Sequence, residues 1–206
     1  MIAGRAGGRR LAVPDGPQTR PTSDRAREGL FATICSMVGS LAGTRVLDLY
    51  AGSGAVGLEA LSRGAEHVLL VESGTRASRV ILANIEAIGL PGAEVITDRV
   101  ERVLARGPAQ GRYDIVFADP PYALPDSDVS RMLSLLAGRD EPQNFPRSAR
   151  EGIAGRAWLV PGALVIVERA TRTGPVPWPE GFLPDRARRY GEATFWYGLG
   201  PGAPAR

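Results

Sequence analysis

This sequence predicts an α/β domain, a Rossmann-like, mostly parallel β-sheet with helices on both faces, and three observations predict it. Between Arg45 and Arg169, short apolar β-rich runs alternate with helical segments, the pattern of a parallel sheet covered on both sides. The first run ends in a glycine-rich turn that opens a helix, Gly52-Ser53-Gly54-Ala55-Val56-Gly57. After Arg169 the alternation stops, and two strand-like runs split by Gly191-Glu192 signal a C-terminal antiparallel hairpin.

Residues 1–22, rich in arginine, glycine and proline, read as an extended arm. Ser23 or Asp24 suits the N-cap of a helix over Asp24–Met37, in which Leu30, Phe31, Ile34 and Met37 recur at helical spacing. The strands follow as Arg45–Tyr50, Val68–Glu72, Glu94–Thr97, Tyr113–Ala118 and Ala163–Glu168. Each is nearly continuous in apolar residues, as strands buried on both faces are. Helical stretches over Gly57–Ser62, Arg76–Ile88 and Val100–Arg106 lie between them. The polar segment between Gly138 and Gly155, long over 139–151, has no clear period and is expected to be a flexible insertion on the rim. Arg186–Tyr190 and Ala193–Tyr197 make the hairpin, and residues 200–206 are expected to fray. Two parts result: a basic arm with its helix over 1–40, and the alternating domain over 41–200.

Composition narrows the function. With 206 residues, 44% of them hydrophobic, the chain has room for one full domain and an appendage. No segment approaches the roughly 18 apolar residues of a membrane span, and the N-terminus lacks the apolar core of a secretory signal. A cytoplasmic protein, acting as a monomer, is expected. One cysteine, Cys35, and one histidine, His67, leave no internal disulfide and no metal cluster. Cys35 is expected to be a small core residue on its helix, and His67 a loop or strand-edge residue. All 25 basic residues are arginine, which the abundance of Ala, Gly and Pro attributes to a GC-rich coding bias. Position says more: Arg5, Arg9, Arg10, Arg20, Arg25 and Arg27 outweigh Asp15, Asp24 and Glu28, while the remaining charges balance. The whole net charge of +3 therefore sits in the first thirty residues, the footprint of an arm that meets phosphate. A solvated tail is the plainer reading.

Glycines 52, 54 and 57 spell G-x-G-x-x-G, and Glu72 lies 18 residues beyond Gly54 at the end of the next strand. Taken alone this is a dinucleotide-binding fingerprint, open to a nicotinamide-dependent oxidoreductase. Two details favour S-adenosylmethionine. Asp48 precedes the glycines, where its charge would repel a pyrophosphate but attract an ammonium. Asp98 and Asp119 also end strands, so four successive strands finish near a carboxylate. The candidate cofactor contacts are Asp48, Tyr50, Ala51, Gly52, Ser53, Gly54, Glu72 and Asp98, with Glu72 suited to two ribose hydroxyls and Asp98 to an adenine amino group. Each acid has a plainer role as the cap of the following helix.

Asp119-Pro120-Pro121-Tyr122 follows the fourth strand directly. Proline fixes φ, removes a backbone donor and pushes its predecessor toward extended geometry, so Asp119, Pro120 and Pro121 are expected to present a rigid row of acceptors to an amino group. Tyr122 offers a face for a base, a stacking contact worth about 1–3 kcal/mol. A strand end with a proline-rich turn is the plainer alternative.

With these residues in view, the chain resembles the bacterial small-subunit ribosomal RNA guanine-N2 methyltransferases of the RsmD type. The resemblance covers most of the chain and rests on Ile2-Ala3-Gly4 with Gly8-Arg9-Arg10-Leu11, on Arg20–Glu28 with Leu30-Phe31, on the Leu47–Ala65 segment with its Val71-Glu72 partner, and on Asp119–Tyr122. It implies a class I methyltransferase fold, S-adenosylmethionine as donor, and as acceptor a guanine of 16S ribosomal RNA, guanine 966, on naked RNA or the small subunit. It implies Asp119, Pro120, Pro121 and Tyr122 as the catalytic set, and Arg5, Arg9, Arg10, Arg20, Thr22, Arg25 and Arg27 as RNA contacts. Adenine-N6 DNA methyltransferases and other amino methyltransferases share the Asp-Pro-Pro-Tyr signature, though they usually carry a larger target-recognition region.

Overall fold

The predicted alternation folds as a seven-stranded sheet in a computed structural model of the protein, which describes residues 1–14, 24–139 and 156–204. In chain order the elements are α1 (Asp24–Val38), β1 (Arg45–Leu49), α2 (Ala55–Ser62), β2 (His67–Glu72), α3 (Thr75–Ile88), β3 (Ala93–Thr97), α4 (Val100–Arg106), β4 (Tyr113–Ala118), α5 (Asp126–Leu136), β5 (Leu159–Ala170), β6 (Leu183–Tyr190) and β7 (Ala193–Leu199). The strand order is β3-β2-β1-β4-β5-β7-β6. β1, β2 and β3 pair in parallel, whereas β7 pairs antiparallel with both β5 and β6. Strand order reverses between β1 and β4, and open α/β sheets bind ligands beyond the strand ends at such a reversal.

The structure departs from the sequence reading at β1, at Cys35 and at α5. β1 ends at Leu49 because Tyr50 turns to φ 61°, the left-handed region that a strand cannot continue through. Cys35 is half-buried rather than a core residue. Helix α5 escaped the periodicity because its first turn, Asp126-Ser127-Asp128, is polar and its buried positions Val129, Met132, Leu133 and Leu136 begin only afterwards. The segment 140–155, read as a flexible insertion, lies outside the described residues.

The chain divides into two compact units, Met1–Arg99 with Val116–Asp119, and Val100–Ile115 with Pro120–Arg206. In the first, α1 buries Ala26, Leu30, Phe31 and Ile34 at helical spacing. The short α2 is buried along its whole length from Val56 to Ser62, including the carboxylate of Glu59. That carboxylate accepts the Ile2 and Ala3 N–H groups at 2.8 and 3.0 Å, and Ser62 Oγ accepts the Ala6 N–H at 2.9 Å. Over residues 1–14 the expected extended arm is thus a segment docked on the domain. His67 opens β2 in register with Arg45. Burial, with the Arg45 charge next, holds its imidazole below the usual range.

In the second unit Trp158 is the central bolt. Its indole N–H donates to the Leu104 carbonyl at 3.0 Å, its ring stacks on Tyr113 at 5.8 Å, and its own backbone pairs with Leu136 and Tyr113. One residue so ties α4, the start of β4 and the end of α5. Edge strand β6 carries a bulge at Pro184/Arg186, the kind of position that accepts a proline within a sheet. No helix among the described residues is long and apolar enough to cross a membrane.

Candidate active site

The loop after β1 is built by backbone geometry that few residues allow. Tyr50 and Gly52 both have positive φ, 61° and 57°, and the Ala51 N–H donates to the Val71 carbonyl at 3.0 Å, pinning the turn to the end of β2. Gly52 faces open space: the nearest atom to a side chain built there is the Tyr50 carbonyl oxygen, at 4.0 Å. A ligand can therefore approach the bare backbone. Gly57 is required for the opposite reason. A Cβ there would lie 2.8 Å from Val68 Cγ1 and 3.1 Å from Asp48 Oδ2, so only glycine lets α2 pack onto the sheet.

Two carboxylates face this loop. Asp48 is 2% exposed, and its Oδ2 accepts the Gly57 N–H at 2.8 Å. Burial pushes the Asp48 carboxyl up to about 7; the Gly57 hydrogen bond opposes this, and the charge of Glu72 adds to it. Glu72 spreads its two oxygens over the loop, Oε2 accepting the Gly52 N–H at 2.9 Å and Oε1 the Gly74 N–H at 2.7 Å. An ionised carboxylate offers about four lone-pair sites, so Glu72 retains capacity for hydroxyl donors. A buried acid that regains its charge beside a cation, an open face over Gly52, and a carboxylate with lone pairs in hand form a donor set that fits S-adenosylmethionine. Asp98 is half-buried and its Oδ1 accepts the Arg99 N–H at 2.8 Å, just ahead of α4. Among the described residues no group of three or more His, Cys, Asp or Glu could hold a metal ion.

Asp48 makes a pH-dependent prediction. Its carboxyl titrates near 7 in the folded chain and near 3.8 when unfolded. Between those values the native state holds a proton that the unfolded state has released, so stability falls as pH rises through the window. The net penalty, burial and the Glu72 charge less the Gly57 hydrogen bond, is fully present well above pH 7 and amounts to roughly 4 kcal/mol at about 1.36 kcal/mol per unit. Asp48→Asn keeps an acceptor for the Gly57 N–H but leaves a buried amide donor short of a partner, a cost of about 1–3 kcal/mol. The variant, free of ligand, is expected to be more stable than the parent at pH 8 by about 1–3 kcal/mol, with the difference shrinking toward pH 5. Urea unfolding at the two pH values measures it; parallel pH profiles for the two proteins would contradict it.

Asp119 is held at the tip of β1, where its backbone N–H donates to the Leu49 carbonyl at 3.3 Å. The carboxylate-bearing residue after β4 and the glycine loop after β1 thus start from the same place in the first unit. In the second unit, Pro120 is buried and Pro121 exposed. The Pro121 carbonyl accepts the Leu124 N–H at 2.8 Å, so part of its acceptor capacity is taken by the turn. The Tyr122 hydroxyl donates to Glu168 Oε1 at 3.4 Å, and the neighbouring Arg169, fully buried, donates to the Leu124 carbonyl at 3.1 Å and to Asp126 Oδ1 at 2.8 Å. The end of β5 therefore fastens the loop that carries the aromatic ring.

The arginines divide by exposure. Arg5, Arg9, Arg10 and Arg25 are exposed, but Arg9 also donates to the Ala87 and Ile88 carbonyls at 3.0 and 2.7 Å, satisfying the orphan acceptors at the end of α3. Arg27 differs from expectation. It is 7% exposed and bonded to Asp24 at 2.6 Å, and a guanidinium in that seat cannot fork a phosphate without leaving it. Arg20 and Thr22 lie outside the described residues. Glu59, Asn84, Glu168 and Arg169 were missed from sequence, and the signal available was a polar residue at a position whose helical or strand neighbours are apolar.

The family model described as Conserved hypothetical protein 95 matches residues 1–141. Ribosomal RNA small subunit methyltransferase D of Escherichia coli (strain K12) is 31% identical over 195 residues, covering 95% of this chain and 86% of that protein. The solved structure of yhhF from Escherichia coli superposes with a TM-score of 0.76 at 30% identity, covering 98% of both chains. Magnesium protoporphyrin IX methyltransferase from Synechocystis PCC 6803, solved with bound S-adenosylmethionine, shares the fold at a TM-score of 0.59 and 15% identity, over 85% of this chain and 78% of that one.

Proposed function

The chain belongs to the Conserved hypothetical protein 95 family, the RsmD family of S-adenosylmethionine-dependent methyltransferases, and from that premise we propose that it methylates the exocyclic N2 of a guanine in small-subunit ribosomal RNA, guanine 966. The observation that carries this reading is the Asp119 N–H bonded to the Leu49 carbonyl at 3.3 Å, which supports a reactive carboxylate next to the cofactor loop. When bound, S-adenosylmethionine supplies a sulfonium-activated methyl group. Tyr50, Ala51, Gly52, Ser53 and Gly54 would lie against it, Asp48 would face its positive charge, Glu72 its ribose hydroxyls and Asp98 its adenine amino group.

The guanine N2 is a poor nucleophile because its lone pair is delocalised into the ring. In this reading Asp119 and the Pro120 carbonyl each accept one N2 hydrogen, which draws the nitrogen toward tetrahedral geometry and frees its lone pair. Asp119 takes the proton that becomes acidic after transfer. Tyr122 stacks on the base, which has to be splayed out of its helix first. In-line placement of this kind can contribute about 7–11 kcal/mol. The exposed arginines of the N-terminal segment and α1 hold flanking phosphates, setting affinity and its salt dependence more than base choice.

The test is incubation of the purified protein and methyl-labelled donor with small ribosomal subunits, and separately naked 16S RNA, lacking the modification, followed by nucleoside analysis and mapping. N2-methylguanosine at a single position is the expected product. N6-methyladenosine would replace the guanine reading by the adenine one that shares the Asp-Pro-Pro-Tyr signature, and no label in either RNA would overturn the RNA substrate.

A further inference from the structure

Asn84 lies on the buried face of α3 between Ile81 and Ile88 and is 2% exposed. Its side chain is nearly saturated. Oδ1 accepts the Ala12 N–H at 2.8 Å, while Nδ2 donates to the Ala12 carbonyl at 3.0 Å and to the Ser53 carbonyl at 2.9 Å. Toward Ala12 it behaves as a neighbouring strand would, satisfying both backbone groups of one residue. With its remaining hydrogen it holds the middle of the glycine loop. The Asn84 amide itself is buried, while Ala12 is exposed and Ser53 half-buried, and Ala12 and Ser53 are registered against each other through this one amide.

The segment on one side of Asn84 carries Arg5, Arg9 and Arg10, all exposed, and Arg9 is anchored on the same helix at the Ala87 and Ile88 carbonyls. The loop on the other side carries Gly52, whose open face suits a ligand. We propose that Asn84 is a positioning residue that couples RNA held by the N-terminal segment to cofactor held by the glycine loop, each strengthening the other. This rests on the reading above that the segment meets RNA. Phosphate contacts that still the segment still Ala12, and through Asn84 they still Ser53. Any ordering that one ligand imposes on Ala12 or Ser53 is then already in place for the other. Linkage makes the effect reciprocal.

The experiment is calorimetry of S-adenosylhomocysteine binding to the full chain, alone and saturated with a transcript of small-subunit ribosomal RNA, repeated for Asn84→Ala and for Ala12→Pro. The second variant removes the N–H that reaches Oδ1, fixes φ at position 12 and restricts Leu11, but leaves the groups of the Asn84–Ser53 bond untouched, so it decides the matter should Asn84→Ala fail to fold. RNA is expected to tighten binding at least about 5-fold in the parent chain, with the ratio falling toward one in either variant. A merely structural Asn84 would lower thermal stability and leave the ratio at its parent value, which overturns the proposal. RNA that binds the parent with a ratio of one overturns it too, leaving the RNA reading intact. RNA that fails to bind at all removes the RNA reading, and this inference with it.

Discussion

Asp119→Ala is expected to lower methyl transfer by about 10²–10⁴-fold, the range that a positioned acid–base group contributes, while S-adenosylhomocysteine affinity stays nearly unchanged. The division follows from where the residue sits. Asp119 is tied to β1 through its backbone, the N–H to the Leu49 carbonyl, and alanine keeps that bond. The loop contacts that would hold the cofactor belong to other residues: the Ala51 N–H on Val71, and Glu72 across the Gly52 and Gly74 N–H groups. Removing the carboxylate would therefore take away the proposed acceptor for the amino group and leave the glycine-loop contacts standing. Asp119→Asn offers an oxygen acceptor but no proton acceptor of comparable basicity, so it is expected to fall between alanine and the parent. Single-turnover transfer of labelled methyl to the RNA, run beside calorimetry with S-adenosylhomocysteine, reads both quantities. A loss of cofactor affinity as large as the loss of transfer would move Asp119 from the reaction to the cofactor site.

Glu59→Ala is expected to destabilise the fold by about 3–5 kcal/mol, the cost of breaking a buried charged pair from one side. Glu59 is 0% exposed and accepts three donors: the Ile2 N–H at 2.8 Å, the Ala3 N–H at 3.0 Å and Arg63 Nε at 2.8 Å. Arg63 in turn lies 4.7 Å from the centre of the Phe31 ring, so the charge that Glu59 neutralises is packed against α1. Alanine would orphan two backbone donors and one guanidinium in a place water reaches poorly. Against a total stability of roughly 5–15 kcal/mol for a domain, that is a large fraction. Urea unfolding measures the loss, and limited proteolysis should cut the variant within its first ten residues well before the parent. Unfolding within about 1 kcal/mol of the parent would show that the N-terminal segment is held by something other than this carboxylate.

Several features were legible because they are consequences of local chemistry. A strand buried on both faces has to be apolar throughout, so β1, β2, β4 and the middle of β5 could be read directly. The glycine loop could be read because positive φ and close helix–sheet approach demand glycine at fixed offsets, and Gly52 and Gly57 meet those two demands separately. Asp119-Pro120-Pro121-Tyr122 was visible because two prolines after a strand leave the chain few conformations. α5 was not legible, since its polar first turn hides the register of its apolar stripe.

Local pattern was enough, then, for the alternating fold, the glycine loop and the acidic strand ends, because each is set by the conformational preferences and polarity of neighbouring residues. Only the tertiary structure decided which polar groups serve as fasteners. Glu59 and Asn84 each meet partners more than fifty positions away in the chain, and Arg27 is withdrawn from solvent by the packing of its helix. Burial and hydrogen-bond partnership are properties of surfaces brought together by folding, and no window of sequence contains both sides of such a contact.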